Sequence, residues 1–248
     1  MKLKTIYICN SCQHESSKWT GQCPQCNSWN SFIEDVINIG KPTGGSLSKT
    51  PRSLKVKAKI PVYLADSTNI KNSTSRHLSG IEEFDRVMGN GIIPGSITLL
   101  SGEPGIGKST LTLQIANQLA KNLKVLLISG EESVEQIGAR AKRLNLNEQN
   151  LQALNEYNLE TIIETIDQEK PGLIIIDSIQ VISSLDLPGT AGSITQVRYC
   201  AERLLEIAKT TNTPVILIGH VTKDGTLAGP KVLEHLVDAV LNLEGDGT

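Results

Sequence analysis

Residues 102–109 read Gly102, Glu103, Pro104, Gly105, Ile106, Gly107, Lys108 and Ser109, a complete match to G-x-x-x-x-G-K-[ST]. That spacing suits phosphate chemistry. Glycines let successive backbone N–H groups turn inward around a β-phosphate, and a helix starting at the lysine adds its positive dipole end. Lys108 then spans the β- and γ-phosphates, the Ser109 hydroxyl coordinates Mg2+, and Thr110 continues the helix toward the α-phosphate. ATP and Mg2+ are the cofactors these residues predict. Such a loop also needs a carboxylate to hold the metal through its water shell, and Asp177 offers one at the end of the apolar run LIIID. Hydrolysis needs a further group to orient the attacking water. Glu131 and Glu132 directly follow VLLISG. Glu131 is the first choice of general base, while Glu132, or a capping role beside Ser133, is the competing reading. His220 ends the run VILIG, where a γ-phosphate sensor would lie, so Glu131, Lys108 and His220 form the expected catalytic set.

A second chemistry sits near the amino terminus. Cys9-x2-Cys12 and Cys23-x2-Cys26 form two tight knuckles, and two knuckles close a tetrahedron of thiolates around Zn2+. Four cysteines leave no open position, so the zinc is expected to be structural, and so small a unit depends on it to fold. A redox role for the C-x-x-C pairs is the alternative. Trp19, Trp29 and Phe32 are expected to form the miniature core of this ribbon rather than a base-stacking platform, with His14 on its surface. An odd count of five cysteines without a signal peptide argues against a disulfide framework. Cys200 falls on the apolar face of a helix and reads as core.

These groups need a scaffold that brings them together. Apolar runs Ile97–Ser101, Val125–Ser129, Leu173–Asp177, Val215–Gly219 and Ala239–Leu243 predict strands. Helical patterns intervene at 108–119, 134–144, 159–169 and 194–208, the second capped by Ser133. Unbroken apolar strands alternating with helices imply an α/β, RecA-like P-loop fold with a mostly parallel central sheet, covered on both faces and preceded by the small ribbon. The expected domains are a zinc ribbon at 1–36, a basic flexible linker at 37–76 and an ATPase domain at 77–248. The linker is rich in Gly, Pro, Ser and Thr, and its lysines and arginines make it either a solvated tether or a hold on nucleic acid. A net charge of −2 excludes an overall basic coat but not a local patch. No apolar run nears the roughly 18 residues of a membrane span. The start MKLKTIYICNSC has no secretory core, so a cytoplasmic protein without membrane contact is expected.

The order of ribbon, linker, HLSGIEEFDRVMGNGIIPGS, LLSGEPGIGKST, SGEES, LIIIDSIQ and GHVTKDGTLAGPKVLEHLVD resembles the RadA (Sms) family of bacterial DNA repair proteins, RecA-superfamily ATPases. The resemblance runs from Cys9 to about Leu243. It implies a hexameric ring on single-stranded or branched DNA, helicase-like branch migration in homologous recombination, and recombination or replication proteins as partners. By position, Gly102–Ser109 resembles the Walker A loop, Asp177 the Walker B aspartate and Glu131 the catalytic glutamate. Residues 183–197 and 221–231 occupy the places of two mobile, DNA-facing loops, with Lys223 and Lys231 as phosphate contacts. The family pattern continues into a Lys-Asn-Arg-Phe-Gly motif and a Lon-like domain that this sequence does not reach, so a truncated chain is expected. A KaiC-like regulatory ATPase and a zinc-ribbon adaptor with a nucleotide switch are the rival readings.

Overall fold

A computed structural model describes residues 3–9, 14–29, 32–38, 75–220, 231 and 233–245. Cys12, Lys223, nearly all of the linker and nearly all of 221–231 lie outside the described residues. The described residues fall into two compact units.

In the N-terminal unit, β1 (Leu3–Cys9) pairs antiparallel with β2 (Glu15–Ser16) on one side and with β3 (Phe32–Asn38) on the other. The register sets Cys9 opposite Phe32. Cys9, Cys23 and Phe32 are buried together, with Tyr7 and Cys26 packed on them. The His14 ring meets Phe32 edge-on at 6.4 Å between centroids. The expected tryptophan core is not there: Trp19 is 55% and Trp29 72% exposed. A core of three cysteines, one Phe and one Tyr is too small to cover an indole.

The larger unit carries a six-stranded sheet in the order β6-β5-β7-β8-β4-β9, with every pairing parallel. Its strands are β4 (Ile97–Gly102), β5 (Val125–Ser129), β6 (Leu151–Asn155), β7 (Leu173–Asp177), β8 (Val215–His220) and β9 (Ala239–Leu243). Their apolar runs are unbroken because alternate side chains serve two cores. Ile97, Leu99, Ile128, Ile174, Ile176 and Leu217 face α4 (Leu159–Glu169) and α5 (Ile194–Thr211). Val125, Leu127, Leu173, Ile175, Ile216 and Ile218 face α1 (Glu82–Val87), α2 (Lys108–Leu119) and α3 (Val134–Arg143). Each such side chain taken from water contributes about 1.5–3 kcal/mol, which makes the centre of the sheet its rigid part. Among the described residues no helix is long and apolar enough to cross a membrane.

In this unit one strand and one α-helix had no signature in the sequence. Strand β6 reads LQALN, half-buried at a sheet edge, so it lacks the apolar run of its neighbours. Helix α1 is six residues long, too short for a helical period to stand out. The segment 183–193, expected to be mobile, is anchored. Gln196 is buried, accepts from the Ser184 N–H at 2.9 Å, and donates to the carbonyls of Ser184 and Leu187 at 3.0 and 2.8 Å. Glu160 of α4 accepts from the Ser184 hydroxyl. The last residues of the expected loop are the first turn of α5.

Candidate active site and metal centre

Register brings the carboxyl ends of five strands to one edge: Gly102 pairs with His220 and with Leu243, and Ser129 pairs with Asp177. At Gly102 a Cβ would lie 2.5 Å from the Leu243 carbonyl oxygen, so no side chain fits where β4 ends against β9. Gly105 and Gly107 have φ of 80° and 108°, and a Cβ on either would meet nothing within 4 Å. Their surroundings are an open cradle. Helix α2 starts immediately after, with no side chain capping its first turn and no acidic residue in it. Its leading N–H groups are therefore available to an anion, and the residues present fit a bound nucleotide phosphate.

Lys108 is buried, and its Nζ donates to the carbonyls of Gly102 at 2.9 Å and Glu103 at 2.8 Å. Burial pushes its pKa down from the ordinary lysine value, against the pull of the Asp177 and Glu131 carboxylates. Asp177 is buried too. Burial pushes its carboxyl up, the nearby Glu131 charge adds to that, and a hydrogen bond with Ser109 acts in the opposite sense. A hydroxyl and a carboxylate joined beside the cradle are hard oxygen donors, the set that Mg2+ takes.

Glu131 and Glu132 leave β5 on a turn in which both backbone N–H groups donate to Ser129 Oγ, at 3.3 and 3.0 Å. From there the two carboxylates part. Glu132 pairs with Arg140 of α3, and Ser133 closes a capping box with Gln136. Glu131 accepts from the Ser178 hydroxyl at 2.6 Å on Oε1, and His220 Nε2 lies 3.6 Å from the same oxygen. Gln180 donates to the His220 carbonyl at 3.2 Å. Among the described residues, His220 Nδ1 and Gln180 Oε1 are buried without a partner, polar capacity that a ligand or a water would use. Lys108, Ser109, Glu131, Asp177 and His220 are thus gathered at one sheet edge. Sequence reasoning passed over Ser178 and Gln180: both stand in the DSIQ run after β7, but their partners are 47 and 40 residues away.

In the N-terminal unit the sulfurs of Cys9, Cys23 and Cys26 all lie within 4.8 Å of one another, with Cys9 and Cys26 3.6 Å apart. Zn–S bonds of about 2.3 Å place tetrahedral sulfurs about 3.8 Å apart, so these three fit zinc. Backbone bonds run from the Cys9 N–H to the His14 carbonyl at 2.9 Å and from the Cys23 N–H to the Ser28 carbonyl at 3.0 Å. Cys12, the expected fourth ligand, is outside the described residues. Cys200 is fully buried in the sheet core and its thiol is pushed up to about 12, mainly by burial, as befits a packing residue.

An open P-loop on a parallel sheet, with acidic residues on the neighbouring strand ends, defines a nucleotide-binding α/β protein with a RecA-like core. Residues 65–226 match the family described as AAA domain, and the chain belongs to it. Residues 7–34 match the rubredoxin metal binding domain. The relatives are more particular. The chain is 45% identical to the DNA repair protein RadA of Aquifex aeolicus, over 99% of this chain and 52% of that protein. It is 46% identical to the RadA of Haemophilus influenzae over 98% of this chain and 52% of that protein. With the RadA of Listeria monocytogenes it shares 44% over 99% of this chain and 52% of that protein. The chain spans about half the length of the curated relatives it matches.

Proposed function

We propose that this chain is the DNA-dependent ATPase portion of a cytoplasmic protein of recombinational repair, working on single-stranded or branched DNA. The observation that carries the reading is the Glu131 carboxylate, held by Ser178 and beside His220, at the edge where the phosphate cradle opens. Gly102 to Thr110 bind the triphosphate, with Lys108 turning from its carbonyl partners to the β- and γ-phosphates. Ser109 and Asp177 would hold Mg2+, which neutralises phosphate charge when bound. Glu131 orients a water and takes its proton; His220, through Nε2, registers whether the γ-phosphate is present. Cys9, Cys12, Cys23 and Cys26 hold a structural zinc in a ribbon spanning 1–36. A basic linker at 37–76 joins it to the ATPase domain at 77–248.

The fold supports coupling to DNA. β7 runs from Asp177 through a short 3-10 turn into the segment 183–197, so a change at the phosphates reaches that segment through a few rigid residues. In the whole protein this coupling drives helicase-like branch migration from a homo-hexameric ring, alongside recombination or replication proteins. The test is ATP hydrolysis with and without single-stranded DNA, beside Lys108→Ala. Turnover raised by DNA and lost in the variant is the expected result. Nucleotide binding with turnover indifferent to DNA, here and in a chain extended past residue 248, would replace the motor with a nucleotide switch.

A further inference from the structure

Trp19 and Trp29 are the chain's two tryptophans, and both stand in solvent on the N-terminal unit. They share one patch. A Cβ on Gly21 would lie 3.9 Å from Trp19 Cη2 and 3.9 Å from Trp29 Cζ3, so the benzo edges of both indoles converge on a residue without a side chain. The backbone beneath them is pinned. Gln22 forms a β-bridge with Trp29 and its amide donates to the Asn27 carbonyl at 3.0 Å. Thr20 donates to the Gln22 carbonyl at 3.1 Å, and Ser16 Oγ both donates to the Lys18 carbonyl and accepts from its N–H. Two large rings presented on a preorganised turn, with the unit's small core already filled by Cys9, Cys23 and Phe32, mark a ligand surface rather than packing.

Charge selects the ligand. Between residues 16 and 29 the one charged side chain is Lys18, which is exposed, so the stretch that carries both rings contains no carboxylate. Residues 38–76, which follow the ribbon, carry eight Lys and Arg against the single Asp66. Flat aromatic faces next to an exposed lysine, in a chain whose following segment is basic in sequence, suit a polyanion with flat rings, and base–aromatic stacking tolerates any base. We propose that Trp19 and Trp29 form a stacking platform for the bases of single-stranded DNA. This site is separate from the DNA contacts placed on the ATPase unit above, and the two readings fail separately.

Because these are the chain's tryptophans, intrinsic fluorescence reports the platform alone. Oligo(dT) should quench the 248-residue chain saturably, and an abasic strand of equal length should not. Trp19→Ala with Trp29→Ala should weaken binding of a labelled oligo(dT), read by anisotropy, by about fivefold or more per indole removed. The double Phe variant should keep most of the affinity. Zinc content equal to the parent's in both variants shows the ribbon intact. The proposal is overturned if oligo(dT) binds with fluorescence unchanged, if the abasic strand quenches equally, or if the Ala variant binds as tightly as the parent. In the first of these cases a protein ligand becomes the occupant to seek, while DNA-stimulated ATP turnover still judges the ATPase reading independently.

Discussion

Glu131 and Asp177 carry unlike burdens although they end adjacent strands. Glu131 is exposed and tied by one short hydrogen bond from Ser178, whereas Asp177 is buried against Ser109. Glu131→Gln should therefore lower the rate of ATP hydrolysis about a hundredfold or more while nucleotide binding persists. Ser178→Ala removes a hydrogen bond to a charged group, and roughly a tenfold fall in kcat with little change in nucleotide affinity is expected. Equal losses in kcat and affinity would mean that Ser178 serves packing alone. Asp177 predicts a pH effect. Its carboxyl is held above the ordinary value, so the folded protein binds that proton more readily than the unfolded chain. The stability it lends is full below the unfolded carboxylate range and is lost as pH rises through the raised value. Asp177→Asn should thus raise the melting temperature of the nucleotide-free protein more at pH 8 than near pH 4; an equal gain at both would refute the assignment.

The elements that hold these residues were legible to different degrees, for physical reasons. Strands β5 and β7 announce themselves because a strand buried on both faces must be apolar at every position. Strand β6, with Gln152 and Asn155 in a half-buried edge, carries no such constraint and had no such signal. The Ser133 cap was readable because capping is local, and the structure has it as a full capping box. The anchoring of 183–193 was not, because it depends on Gln196 folding back onto carbonyls that only the packed α5 brings within reach. Gln196→Ala would leave the Ser184 N–H and two carbonyls without their partner, a loss of about 2–3 kcal/mol at roughly 1 kcal/mol per bond. Faster proteolytic nicking within 185–192 is the expected readout, and unchanged protection would show that Glu160 alone holds the segment.

At the scale of the whole molecule, the two units are built on different principles. The larger unit buries two apolar cores on one sheet, while the N-terminal unit has a core of a few residues, a size that would depend on a bound metal. Stripping zinc with a mercurial reagent and a chelator should release about one ion per chain. It should abolish the ribbon's order and leave the thermal transition of the ATPase unit in place. Cys200, buried with its thiol pushed up to about 12, should stay unmodified until that later transition. A single transition lost together with the zinc would show the units to be one cooperative body.

Motifs whose chemistry depends on neighbours in the chain could be read before any fold was known: the phosphate loop, the cysteine knuckles, and acidic residues closing apolar strands. Their spacing is set by local backbone geometry, which amino-acid order specifies directly. What depended on distant segments could not be read that way. The Ser178 hydroxyl meets Glu131 across 47 residues, Gly102 abuts the Leu243 carbonyl across the β4–β9 pairing, and Gln196 clamps its own loop. The tryptophans make the same point from the other side. Their composition suggested burial, yet the ribbon's core had no room for them, because burial is settled by the volume the folded chain encloses and not by residue type.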